Sequence, residues 1–148
     1  MSKQPMIEMD FEVLSENFSR YMIQDGTTLK AKIVVKKIMR TMAITPQGYP
    51  TAVGIDSIDA VAAIVPPTLR REPSKERWNP AKDVGKEMKF EVLQEEWQSY
   101  MTNEGFKVLV KPVVTKIIKY EKYNNFGEPI YAATIQAITN IEKMASTA

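Results

Sequence analysis

Four glutamates and a set of lysines are the side chains of this sequence whose types and spacing suit chemistry. Glu12 and Glu16 stand four apart, and Glu91 and Glu95 repeat that spacing further along. Paired carboxylates serve as general acid and base, or as oxygen ligands for a hard cation. The more economical reading sets them on a solvated sheet face, as cross-strand partners of the repeated lysines Lys32/Lys111 and Lys37/Lys116. The 148-residue chain contains no His and no Cys. That removes the commonest general base and metal ligand, excludes Ser–His–Asp and Cys–His machinery, and leaves no thiolate or disulfide chemistry. The six glycines form no phosphate-cradling loop. The expectation is a protein that is not an enzyme, with no catalytic residues, no metal site and no cofactor.

A second constellation combines cations with aromatic rings. Lys30, Lys32, Lys36, Lys37 and Arg40 cluster on one stretch, and Lys107, Lys111, Lys116, Lys119 and Lys122 on another. The aromatics Phe18, Tyr21, Trp97 and Tyr100 fall at matching positions beside them. Small β-barrels bind single-stranded nucleic acid with such a set, stacking bases on rings and holding phosphates with lysines. Phe18, Tyr21, Lys32, Lys36, Trp97, Tyr100, Lys111 and Lys116 are the residues this reading requires. Against it, 20 Lys and Arg face 18 Asp and Glu, a net charge of +2 that supplies little long-range attraction. The rings then close the core, and the lysines blunt sheet edges.

A third candidate is the aromatic stretch "YEKYNNFGEPIY", where Tyr120, Tyr123 and Phe126 have no aromatic counterparts in the matching "TMAITPQGYP". An aromatic loop on a rigid frame suits contact with a protein partner, or with another copy of the chain. The alternative is that these rings cover one end of the fold.

The elements that hold these residues are repeated. Phe11–Arg40 and Phe90–Lys119 align without a gap at an offset of 79, and thirteen of their thirty residues are identical. Chance would give about two. The match continues through Gly48-Tyr49-Pro50 and Gly127-Glu128-Pro129. One inserted residue then brings Ile55, Ile58 and Val61 opposite Ile135, Ile138 and Ile141. Asp25-Gly26 and Glu104-Gly105 each separate runs rich in Val, Ile, Tyr and Thr, which predicts two-residue hairpin turns. Leu29, Ala31, Ile33 and Val35 then alternate with Lys30, Lys32, Val34 and Lys36 until the phase slips before Ile38. Val108, Val110, Pro112 and Val114 repeat the pattern, slip included, before Ile117. A bend or bulge is therefore expected at the same place twice.

This reading gives four or five strands per copy and a mainly β fold: a tandem duplication of a small antiparallel β-barrel or roll. In strand count and bend each copy resembles the SH3-like and Sm-like barrels in outline. The copies are expected over residues 6–65 and 87–144, packed with pseudo-twofold symmetry because a unit of about sixty residues is marginal alone. A Pro-rich charged linker, residues 66–86, joins them, and its Trp78 is expected to pin it to a domain. No apolar run reaches the roughly 18 residues that span a bilayer, and the N-terminus lacks a secretory core, so a cytoplasmic protein without membrane insertion is expected. The functional expectation is a non-catalytic binding or assembly module for a protein partner or for itself, with single-stranded nucleic acid as the alternative and no small-molecule substrate.

Overall fold

Side chains that alternate between apolar and polar need a strand with one face buried, and the two alternating stretches lie in two of the three longest strands. The computed structural model describes residues 5–144. Its strands are β1 (Met6–Met9), β2 (Phe11–Ser15), β3 (Ser19–Ile23), β4 (Thr28–Thr41), β5 (Val53–Ile64), β6 (Lys86–Met88), β7 (Phe90–Gln94), β8 (Gln98–Thr102), β9 (Phe106–Tyr123) and β10 (Pro129–Lys143). A single 3-10 turn, Pro67–Leu69, is the one helical element among the described residues. The protein is mainly β, built as two five-stranded antiparallel sheets.

Leu29, Ala31, Ile33 and Val35 are buried, and so is Ile38 after the phase slip. A register shift between Val35 and Lys37 in the β4–β5 ladder takes up the extra residue and returns Ile38 to the core face. The β9–β10 ladder shifts between Val114 and Lys116, and Ile117 is buried in the same way. The hairpins differ from expectation by one residue. Ile23 N–H donates to the Thr27 carbonyl at 2.8 Å and Gly26 N–H to the Ile23 carbonyl at 2.9 Å, closing a three-residue loop, Gln24-Asp25-Gly26. Gly26 and the matching Gly105 have φ of +92° and +83°, the left-handed conformation that such a loop needs at its last position.

Neither half forms a closed barrel, which corrects the expectation of two small barrels. β1 pairs with β4 in the first sheet, but after the single residue Asp10 the chain enters the second sheet, where β2 pairs with β8. β6 pairs with β9 in the second sheet, and after Lys89 the chain crosses the other way, so that β7 pairs with β3. Each sheet thus holds four strands of one half and one of the other. The sequence hid this because β2 reads FEVLS and β7 reads FEVLQ. Side chains so alike fit either site, and a one-residue connection is too short to turn the chain back. β5 pairs with β4 alone and β10 with β9 alone, so no sheet closes on itself.

The exchange also divides the core. One cluster joins Met9, Ile33, Val35 and Ile38 to Tyr100, Phe106, Val108 and Val110. The other joins Met88, Val114 and Ile117 to Tyr21, Ile23, Leu29 and Ala31. Each cluster takes the bent end of one long strand and the hairpin of the other half. Phe11 of β2 meets Tyr100 edge-on with ring centroids 5.7 Å apart, and Phe90 of β7 meets Tyr21 likewise at 5.8 Å. The segment between the halves folds onto the second half. Arg71 N–H donates to the Gly127 carbonyl at 2.9 Å, Ser74 N–H donates to the Tyr123 carbonyl at 3.1 Å, and Trp78 packs on Tyr120 at 5.4 Å.

Candidate functional site

The carboxylates Glu16 and Glu95 lie where the exchanged strands meet. Tyr100 Oη donates to Glu16 Oε2 at 2.9 Å, and Tyr21 Oη donates to Glu95 Oε2 at 3.0 Å. Both tyrosines are fully buried. Burial pushes the Tyr21 phenol up to about 12, and its bond to Glu95 adds to the rise. Burial and the bond to Glu16 raise Tyr100 as well. Both rings therefore stay neutral donors across the ordinary pH range. Lys32 Nζ approaches Glu16 Oε1 at 3.6 Å. Glu16 and Glu95 thus tie one half to the other, while Glu12 and Glu91 are exposed on β2 and β7.

The backbone beside these bonds is treated differently in the two halves. Ile33 lies on β4 beyond the reach of β3, which pairs only as far as Ala31. Buried Gln98 fills the gap: its Oε1 accepts from Ile33 N–H at 2.9 Å and its Nε2 donates to the Ile33 carbonyl at 2.5 Å. Nε2 also donates to Tyr100 Oη at 2.6 Å. At the matching place β9 has Pro112, which has no N–H, and β3 has Ser19, whose hydroxyl accepts from Glu96 N–H at 2.8 Å. Sequence analysis passed over this network. The visible signal was that Gln98 stands where the first half has Ser19, and Pro112 where it has Ile33.

A further network holds the first hairpin to the second half. Asp25 Oδ2 accepts from Lys119 Nζ at 2.9 Å and from Tyr131 Oη at 2.6 Å, while Oδ1 accepts from Thr27 N–H at 2.9 Å. Burial works to raise the Asp25 carboxyl, but the bonds from Tyr131, Lys119 and Thr27 outweigh it and hold the group below its usual range. Burial and the bond to Asp25 raise Tyr131 in turn. At the matching place Arg40 Nε meets Glu104 Oε1 at 2.5 Å.

The residues of the nucleic-acid reading are not gathered into one face. Tyr21 and Tyr100 are fully buried in separate core clusters and offer no ring to a base. Lys36 pairs with Asp56 at 3.6 Å and Lys116 with Glu87 at 3.7 Å. Lys32 lies 4.8 Å from the Phe18 ring centroid and Lys111 lies 5.6 Å from that of Trp97, so these cations and rings meet one another.

The aromatic loop is likewise divided. Tyr120 is partly buried under Trp78, and Tyr123 lies in the ladder, its N–H donating to Ser74 Oγ at 2.8 Å. Phe126, at the tip, is 76% exposed. It borders a groove of about 370 Å³ whose other wall is Val61, Ala62 and Ala63 of β5. Sequence reasoning missed the exposed apolar residues of the two outer strands: Ile58, Val61 and Ile64 on β5, and Ile138 on β10. Periodicity assigned these residues to strands, but which strands keep a free edge depends on the pairing across the halves.

Among the described residues, no three acidic side chains converge in a way that would hold a metal ion, and no helix is long and apolar enough to cross a membrane. Comparison with protein-family models, with curated proteins and with solved structures found no match.

Proposed function

We propose that this chain is a non-catalytic binding and assembly module that presents free sheet edges, together with the Phe126 loop, to a protein partner. The observation that carries this reading is the pair of long strands β5 and β10. Each is hydrogen-bonded on one side only and each displays exposed isoleucine. An unpaired edge with apolar side chains is a template for another strand, and main-chain bonds along it supply affinity while side-chain positions supply selectivity. In this reading the halves, residues 6–65 and 87–144, are two copies of one duplicated unit related by a pseudo-twofold axis, with residues 66–86 as connector. The outline likeness to SH3-like and Sm-like units extends to strand number and bend within each half.

The test is retention of proteins from the source lysate on immobilised wild-type chain, Ile64→Lys and Phe126→Ser. A partner retained by the wild type and lost from either variant supports the reading. Identical profiles for all three would sink it. The nucleic-acid reading has less support, because its tyrosines are buried and Lys32, Lys36 and Lys116 already face carboxylates.

A further inference from the structure

The two free edges occupy matching places but differ in charge. Ile58 of β5 corresponds to Ile138 of β10, and the residues around them part company: Asp56 and Asp59 stand where β10 has Gln136 and Thr139. Charged side chains on an edge are how sheet proteins prevent strands from adding to it. β5 is guarded in this way, as are the short outer strands β2 and β7 by Glu12 and Glu91. β10 runs thirteen residues, Pro129 to Ile141, with no charged side chain. From Gln136 to Asn140 every residue is exposed, so both faces of the strand meet solvent where its edge is free.

From this contrast we infer that β10 pairs antiparallel with β10 of a second copy of the chain, centred on Ile138, joining two second sheets into one across a twofold axis. The inference rests on the edge-binding reading above and names the partner. A strand paired with itself places residue i opposite residue j with a constant sum, so each register can be checked for charge. Centred on Ile138, the exposed run lies opposite itself: Gln136 faces Asn140 and Ala137 faces Thr139. Ile135 faces Ile141, and Glu142 faces Thr134 rather than another acid. Centred anywhere from Asp56 to Ala60, the same operation on β5 brings an aspartate within two positions of an aspartate of the copy, and like charges there are repelled.

Sedimentation equilibrium of the full chain, from low to high micromolar concentration, tests this with Ile138→Lys, Ile138→Glu and Ile58→Lys. A dimer is expected for the wild type and for Ile58→Lys. Each Ile138 variant places a charge opposite its own copy, and the dissociation constant should rise about tenfold or more. An equimolar mixture of Ile138→Lys and Ile138→Glu should recover the dimer, because only a residue that faces itself turns repulsion into attraction on mixing. That recovery also separates lost pairing from lost folding. A monomeric wild type overturns self-pairing and leaves the edge-binding reading to the lysate experiment. A dimer indifferent to Ile138→Lys, failure of the mixture to recover, or growth beyond the dimer that Ile58→Lys also stops would each overturn the Ile138-centred pair.

Discussion

Gln98 and Ser19 occupy matching places on β8 and β3, and each bonds the backbone of the opposite half, Gln98 at Ile33 and Ser19 at Glu96. Gln98 supplies the amide that Ile33 lacks from a neighbouring strand, giving and taking a hydrogen bond at the same residue. Where Gln98 meets Ile33, the second half has Pro112, which has no N–H to satisfy, and the Ser19 hydroxyl accepts from Glu96 N–H instead. Both gaps in the ladder come from the same bend in a long strand, and each is closed by different chemistry. Matching strands in the two halves therefore do not require matching side chains where polar groups are buried. Each half need only leave no buried group without a bond.

Cutting the chain would break the comparison most severely. With residues 1–85 expressed alone, β2 and β3 lose their neighbours β8 and β7, and the core clusters lose four of eight and three of seven buried members. No cooperative thermal transition is expected by circular dichroism from this fragment or from residues 86–148 alone, and mixing the two should restore one. A fragment that melts cooperatively by itself would show that the exchange is dispensable.

The next effect lies at the two junctions. Gln98→Ala leaves the buried N–H of Ile33 without a partner and its carbonyl with only the long 3.5 Å contact from Tyr100 Oη, and should cost about 2–3 kcal/mol in urea unfolding. Ser19→Ala, which removes the acceptor of Glu96 N–H, should cost about 1 kcal/mol. Equal losses would erase the distinction between the junctions.

The smallest effect at neutral pH appears only in alkali. Tyr21 has a folded value of about 12 against 10.0 for a free phenol. A group raised on folding contributes stability that is complete below its unfolded value and is lost as pH rises through its folded one. Thermal stability should therefore fall between about pH 10 and 12, and Tyr21→Phe should flatten part of that fall. Tyr100→Phe is expected to do the same, since burial and Glu16 raise that phenol too. A steep fall kept by both variants would assign the alkaline loss to other groups.

Much of the fold was legible from spacing. Alternation from Leu29 to Val35 marked the buried face of β4, and the slip before Ile38 marked the bulge at the place where the ladder shifts. The hairpin glycines were visible because a left-handed turn position favours Gly over other residues. Strand partners were not legible. Pairing depends on which edge meets which, and FEVL in β2 and FEVL in β7 carry the same pattern to either site. The candidate site suffered from the same ambiguity. Tyr21 and Tyr100 read equally as core or as stacking platforms until the exchanged strands enclosed them. Ile58 and Ile138 read as ordinary strand residues until their strands proved to lie at sheet edges.

The crossing of β2 and β7 sets a timetable for synthesis. The hydroxyl of Tyr21 is bonded by the amide of Val114, 93 residues later. The hydrophobic surface that will meet β8, β9 and β10 leaves the ribosome long before those strands exist. Contacts so distant in sequence are slow to form, because the connecting chain must be ordered before they repay its entropy. While it waits, the first half is a sticky, half-covered sheet, and a neighbouring nascent chain offers it the same FEVL strand that its own second half will bring. Crowded synthesis should thus favour chains entangled with one another, and slow dilution during refolding should favour the single chain.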